Sequence, residues 1–157
     1  MVGTMEMYPE ALMSYRKTSH SVYDLKYHIV WVTKYRKSIL RGEIGLRLRE
    51  LVRQDCAKLD VYILTGHVSS DHVHLRVSVP PSIAVSKLLQ QLKGRSSRRL
   101  MDEYAELKRQ YWGRHMWARG YFAVTTGNVT DEMVKQYIES HRDPPPDNSE
   151  DNFQVDE

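Results

Sequence analysis

Two histidines, His72 and His74, stand one residue apart in the run Asp71-His72-Val73-His74-Leu75-Arg76-Val77-Ser78-Val79. The run alternates. Val73, Leu75, Val77 and Val79 share one face of a strand, and His72, His74, Arg76 and Ser78 share the other. With the apolar face buried, both imidazoles project together, a spacing suited to holding one metal ion. Neutral imidazole suits Zn, Mn, Fe or Ni, and also joins water and phosphate oxygens around Mg. Two imidazoles do not complete a site, so a third ligand is needed. The competing interpretation is a pair of structural histidines, because short motifs recur by chance.

A second group lies near the C-terminus. Val134, Tyr137, Ile138 and His141 fall at helical spacing, with Tyr137 and His141 one turn apart and therefore neighbours. An ordinary amphipathic stripe would make Tyr137 a core aromatic, but it accounts less well for His141. If His141 joins the ion held by His72 and His74, Tyr137 is carried to the same place. A phenol has a reference pKa near 10, so it acts as a nucleophile at neutral pH only beside a metal or a base.

These residues need a frame. Residues 25–33 are rich in β-branched and aromatic types and predict a first strand. Thr33-Lys34-Tyr35-Arg36-Lys37 makes a basic exit from it. Ile44, Leu48, Leu51, Val52 and Leu59 predict a helix over 43–59. Val61–Thr65 is the second strand, and Ser69, Ser70 and Asp71 supply a turn into the histidine strand. Pro80-Pro81 stop that strand, with Ser82 as N-cap of a long helix. Its stripe runs from Val85 through Leu88, Leu89, Leu92, Ser96, Leu100 and Tyr104 to Leu107. Gly94 inside it suggests a bend or a close contact. Tyr121–Thr125 is the fourth strand, and Thr130 caps a last helix. The order of the first six elements is ferredoxin-like, an α+β fold. It places two helices on one face of a four-stranded antiparallel sheet and leaves the other face for the histidines.

The whole chain, 157 residues, suits one domain. Residues 1–20 read as a loose arm or short edge segment, 21–142 as the single domain, and 143–157 as an acidic, disordered tail. That tail carries six of the 20 acids and no Lys or Arg, which leaves 23 bases against 14 acids before it, a net +9. A body this basic suggests a polyanionic partner, nucleic acid first. The single cysteine, Cys56, cannot form an internal disulfide and fits a reducing cytoplasm. No apolar run is long enough to span a membrane, and no signal-peptide pattern opens the chain. Lys34, Arg36 and Lys37 beyond the first strand, and Lys87, Arg95, Arg98 and Arg99 on the long helix, are candidate phosphate contacts. Tyr111, Trp112 and Trp117 are candidates for stacking on exposed bases, with core packing as the alternative for each.

The run His72-Val73-His74 resembles the His-hydrophobe-His signature of the HUH endonucleases. Tyr137-Ile138-Glu139-Ser140-His141 is similar to the catalytic helix of the single-tyrosine HUH transposases, found in the smallest bacterial and archaeal insertion sequences. His28-Ile29-Val30-Trp31-Val32-Thr33-Lys34-Tyr35-Arg36 and Gly120-Tyr121-Phe122-Ala123-Val124 also resemble that family. The resemblance spans roughly residues 20–142, and the joint order of the motifs is more specific than any one of them. It implies that His72 and His74 bind Mg²⁺ or Mn²⁺. It implies that Tyr137 attacks a DNA phosphate, leaving a 5′-phosphotyrosine link and a free 3′-hydroxyl. The third ligand in the family lies four residues after the tyrosine and is often Gln or Asn; here it is His141. The resemblance further implies single-stranded DNA with hairpins as substrate. It also implies a homodimer whose active sites combine the histidines of one chain with the tyrosine helix of the other.

Other functions compete. A domesticated relative would process dispersed hairpin repeats without moving its own element. A non-catalytic nucleic-acid-binding module would share the ferredoxin-like order, but the chain has no clear RNA-recognition signature. A metal hydrolase would carry longer His-Asp ligand strings and would not need Tyr137.

Overall fold

The computed structural model describes residues 3–4, 15–125 and 131–140. The strands are β1 (Gly3–Thr4), β2 (Arg16–Lys17), β3 (Val22–Tyr23), β4 (Lys26–Val32), β5 (Tyr62–Val68), β6 (His72–Ser78) and β7 (Phe122–Thr125). The helices are α1 (Gly42–Lys58), α2 (Val85–Glu103), α3 (Ala105–Gln110) and α4 (Asp131–Glu139). The main sheet runs β1-β5-β6-β4-β7, with every neighbouring pair antiparallel. Without the two-residue edge strand β1, this is the ferredoxin-like sheet expected from the element order.

Alternation along the strands divides the sheet into two faces. Ile29 and Trp31 of β4 and Val73, Leu75 and Val77 of β6 point to one face and are fully buried. Against them pack Ile44, Leu48, Leu51, Val52 and Cys56 of α1, and Leu88, Leu89, Leu92 and Leu100 of α2. Burial drives the Cys56 thiol up to about 12, so it behaves as a small core hydrophobe. Across the top of the helical layer, Arg95 donates to the buried Asp55 at 2.8 Å, and Arg47 grips Glu103 at 2.9 and 3.0 Å. The ion pairs lock α1 to α2.

Several boundaries differ from expectation. α2 begins at Val85 with Ala84 as its cap, so Ser82 stays in the preceding turn. The long stripe is broken at Tyr104, whose extended backbone (φ −125°, ψ 98°) separates α2 from α3; Leu107 is buried from the second piece. Gly94 meets no close neighbour, because a Cβ there would find nothing within 4 Å. The stretch expected as an arm or edge segment supplies, in its described parts, β1 and β2. Arg16 of β2 is buried: its guanidinium donates to the Ser78 carbonyl and hydroxyl and to the Asp60 carbonyl, and lies 3.5 Å over the Tyr62 ring. The expected cap Thr130, residue His141 and the tail 143–157 lie outside the described residues.

One irregularity matters for the other face. Between Ile63 and Thr65 the β5–β6 register shifts, and Leu64 is the extra, fully buried residue. Such a bulge re-aims every side chain beyond it. Strict alternation from Ile63 would send His67 into the core. The bulge instead pairs His67 with His74 and so turns it to the histidine face.

Candidate active site

Directly paired residues of an antiparallel sheet point to the same side. His67, His74, Val30 and Phe122 therefore form one row across β5, β6, β4 and β7. His28 lies in the next row and His72 at the end of β6, opposite Val32. The face away from α1 and α2 thus carries four half-buried histidines, His28, His67, His72 and His74. The sequence singled out two of them. His28 could have been found from the alternation of β4, whereas His67 is hidden by the bulge.

His72 is held by a short chain of partners. Its Nδ1 meets Asp71 Oδ1 at 2.8 Å, and Arg36 Nε donates to Asp71 Oδ2 at 3.3 Å. Burial alone would raise the Asp71 carboxyl, but the bond to His72, its charge and the Arg36 guanidinium outweigh that and hold it below the usual carboxylate range. Thr33, wholly buried at the end of β4, donates its amide to the Asp71 carbonyl at 2.9 Å. Arg36 reaches Asp71 from a single 3-10 turn, Lys34–Arg36, in which Tyr35 and Arg36 both adopt left-handed backbone angles (φ 61° and 52°). Such conformations cost roughly 1–2 kcal/mol per residue, a strain of the kind concentrated at working sites. With Nδ1 committed to a carboxylate, Nε2 is the nitrogen left to His72 for a metal. This is the carboxylate–histidine arrangement that orients metal ligands.

His74 is engaged differently, for its Nε2 lies 3.1 Å from His28 Nδ1. His67 is held toward its neutral form by burial first and by the proximity of His72 second. Among the described residues no three His, Cys, Asp or Glu side chains converge into a cluster able to hold an ion. His72 and His74 fit a divalent cation as two of its donors. The third expected ligand, His141, lies outside the described residues.

α4 contacts β4, and Tyr137 lies with its ring centre 5.1 Å from that of Phe122. Because Phe122 shares the His74 row, the tyrosine helix stands on the histidine face. The two residues sit two strands apart, about 10 Å across the sheet. Burial raises the Tyr137 phenol well above its ordinary value, so the resting side chain is protonated.

The basic candidates separate into two groups. Arg95 is committed to Asp55 and Gln54 of α1, and Arg99 reaches Glu103 on its own helix at 3.4 Å. Lys34, Arg36 and the exposed Arg98 line an open cavity of about 1030 Å³ between the 3-10 turn, α2 and the loop 113–119. Lys93, Lys108, Arg114 and Arg119 add to its wall, against one lining acid, Asp102. Lys37 lies behind it, donating to the Gln110 carbonyl and facing the Tyr111 ring at 5.1 Å. Lys93 donates to the carbonyls of Ala118 and Gly120 at 2.9 and 2.7 Å, and burial lowers its ammonium to about 8. The sequence did not single out Lys93; only the folded loop reveals it. Of the three aromatic candidates, Tyr111 and Trp117 are core residues, 4% exposed each, while Trp112 stands 88% exposed on a left-handed turn (φ 56°). Arg36 belongs to both regions, since it lines the cavity and steadies Asp71 behind His72.

Comparison with known proteins points to one family. Residues 21–141 match the family model described as "Transposase IS200 like". The ISDra2 transposase TnpA of Deinococcus radiodurans is 37% identical over 122 residues, covering 78% of this chain and 87% of the relative. The transposase for insertion sequence element IS200 of Salmonella typhimurium is 34% identical over 123 residues, covering 78% and 80%. A crystal structure described as a transposase from Deinococcus radiodurans superposes with a TM-score of 0.75 at 31% identity, over 81% of this chain and 98% of that one. A REP-associated tyrosine transposase bound to a REP hairpin shares the fold, with a TM-score of 0.50 at 14% identity, over 76% of this chain and 68% of that one.

Proposed function

The chain belongs to the IS200-like transposase family, and from that premise we propose that it cuts and rejoins single-stranded DNA through Tyr137. The transposase assignment is common to the relatives named above; the tyrosine chemistry is the further step. One observation carries it. His72 and His74 share a sheet face with the helix that bears Tyr137, and His72 is already oriented through Asp71 with Nε2 left for a metal.

In this reading His72, His74 and His141 hold Mg²⁺ or Mn²⁺. The bound cation supplies Lewis-acid polarisation of the scissile phosphate. Tyr137 supplies the nucleophilic oxygen. Its burial keeps the phenol protonated at rest, which guards against attack before a substrate is positioned. Attack leaves a 5′-phosphotyrosine and releases a 3′-hydroxyl. The phosphodiester energy is retained in the link, so a 3′-hydroxyl reverses the step without ATP. Lys34, Arg36 and Arg98 line the route along which the strand's phosphates reach the histidine face. Hairpin-marked ends are the proposed recognition element, in keeping with the hairpin bound by the neighbour of the same fold. A homodimer is part of the same reading, with the histidines of one copy meeting the tyrosine helix of the other once that helix is exchanged, and the cytoplasm is the proposed place of work. Among the described residues no helix is long and apolar enough to cross a membrane. We assign the activity to residues 21–142 and treat 143–157 as an appended acidic tail.

Oligonucleotides from the DNA flanking the gene, offered as single and double strands with Mn²⁺, test the proposal. Cleavage of the single strand, with a free 3′-hydroxyl and the 5′ end retained by protein, is expected. Metal-independent cutting, or free 5′-phosphate ends, would contradict it.

A further inference from the structure

His72 and His74 are not equally ready for a cation. His72 keeps Nδ1 on Asp71 and has Nε2 left for a metal. His74 has its own tip nitrogen, Nε2, set 3.1 Å from His28 Nδ1. This bond has the same consequence in either tautomer. If His74 Nε2 accepts, its lone pair is directed at the His28 N–H; if it donates, it carries a proton and has no lone pair to give. A metal needs that lone pair. The two rings lie at 41° with centres 5.4 Å apart, so the contact is an edge-on hydrogen bond rather than a stack. It is built by the sheet: β4 and β6 pair along their whole length, which fixes His28 one row from His74 on the same face.

We infer that His28 is a positioning residue that occupies the tip nitrogen of His74 until a divalent cation displaces it. The inference rests on the proposed metal role of His72 and His74. It adds that cation binding includes a rearrangement of the His28–His74 pair, and that the protein alone binds metal more weakly than its ligands would allow. His28 is thus a competitor for the site, not a further ligand.

The test is a Mn²⁺ titration of the full chain, followed by the electron paramagnetic resonance of free Mn²⁺. His28→Phe keeps a ring without nitrogens, and His28→Ala removes it. Either variant, folded by circular dichroism, is expected to bind Mn²⁺ about three- to tenfold more tightly than the parent, the effect of one competing hydrogen bond. Unchanged or weaker binding would overturn the inference. His72→Ala separates the two levels: if Mn²⁺ binding to the parent is indifferent to that change, the proposed metal site fails and His28 with it. Should neither His28 variant fold, imidazole ¹⁵N spectra of the parent decide. Added Mg²⁺ is expected to move His28 Nδ1 and His74 Nε2 together; movement of His74 with His28 unmoved would overturn it.

Discussion

Asp71 shows how much one carboxylate can organise. It accepts from Arg36, orients His72 and, through its backbone carbonyl, closes the end of β4 at Thr33. Removing a carboxylate behind a metal-binding imidazole commonly lowers affinity 10- to 100-fold. Asp71→Ala is therefore expected to weaken Mn²⁺ binding by about that factor while the fold survives, as a titration beside circular dichroism would show. Lys93 allows a pH argument. Burial opposes its charge and lowers its ammonium to about 8 in the folded chain, against the ordinary 10.5 when exposed. Between those values the unfolded chain binds the extra proton, so this group makes stability rise as pH increases from about 8 to 10.5. Below that window both states are protonated and its contribution is flat. Urea unfolding across the window should show the rise in the parent and lose it in Lys93→Met. At this scale the sequence was partly legible. His72 and His74 announced themselves because a strand's alternation is a local property. The bond from His28 and the loop held by Lys93 join residues 46 and more than 20 positions apart, and no local pattern reports them.

The strands and helices were the most legible part, since each buries one face and the apolar spacing records which. β4, α1, β6 and α2 follow their periodicity closely. The departures have physical causes that periodicity does not encode. α2 and α3 share one apolar stripe, yet the extended backbone at Tyr104 divides them. β5 carries two adjacent buried residues, Ile63 and Leu64, where strict alternation allows one, and the bulge that results turns His67 to the histidine face. Deleting Leu64 would let Thr65 opposite Arg76 follow directly on Ile63 opposite Val77, so the pairing becomes regular with His67 still on the histidine face and Val68 still in the core. The loss is that of the buried Leu64 side chain, and destabilisation of about 2–5 kcal/mol is expected. A deletion variant that no longer pairs His67 with His74, read from cross-strand contacts by NMR, would show that Leu64 is not the extra residue.

On the whole molecule, charge is what composition foretold, and folding decides which charges are available. The basic residues of α2 do not act as a block. Arg95 turns inward to Asp55, which is 2% exposed, whereas Arg98 is exposed on the cavity wall. Arg95→Met strands a buried carboxylate and should cost about 3 kcal/mol or more of stability with little change in DNA affinity. Arg98→Ala should leave stability within about 0.5 kcal/mol. It should also reduce the salt dependence of single-strand binding by about 0.7 in the log–log slope. Fluorescence anisotropy at several salt concentrations, run beside chemical unfolding, distinguishes the two; reversed effects would mean that the cavity is not the DNA path. The family's joint motif order was visible in the sequence because it spans residues 28 to 141, and the match over residues 21–141 follows the same stretch. The third ligand was read as His141, which lies outside the described residues, and the proposed meeting of tyrosine and histidines between two copies would be a property of an assembly rather than of one chain.

The central claim is that Tyr137 becomes covalently joined to DNA. Mapping the protein–DNA adduct by digestion and mass spectrometry tests it most directly, with Tyr137→Phe treated in parallel. The expected result is a nucleotide carried on the peptide containing Tyr137, formed only with Mg²⁺ or Mn²⁺ and absent from the folded, DNA-binding variant. An adduct on another residue, or one that persists in Tyr137→Phe, would contradict the mechanism.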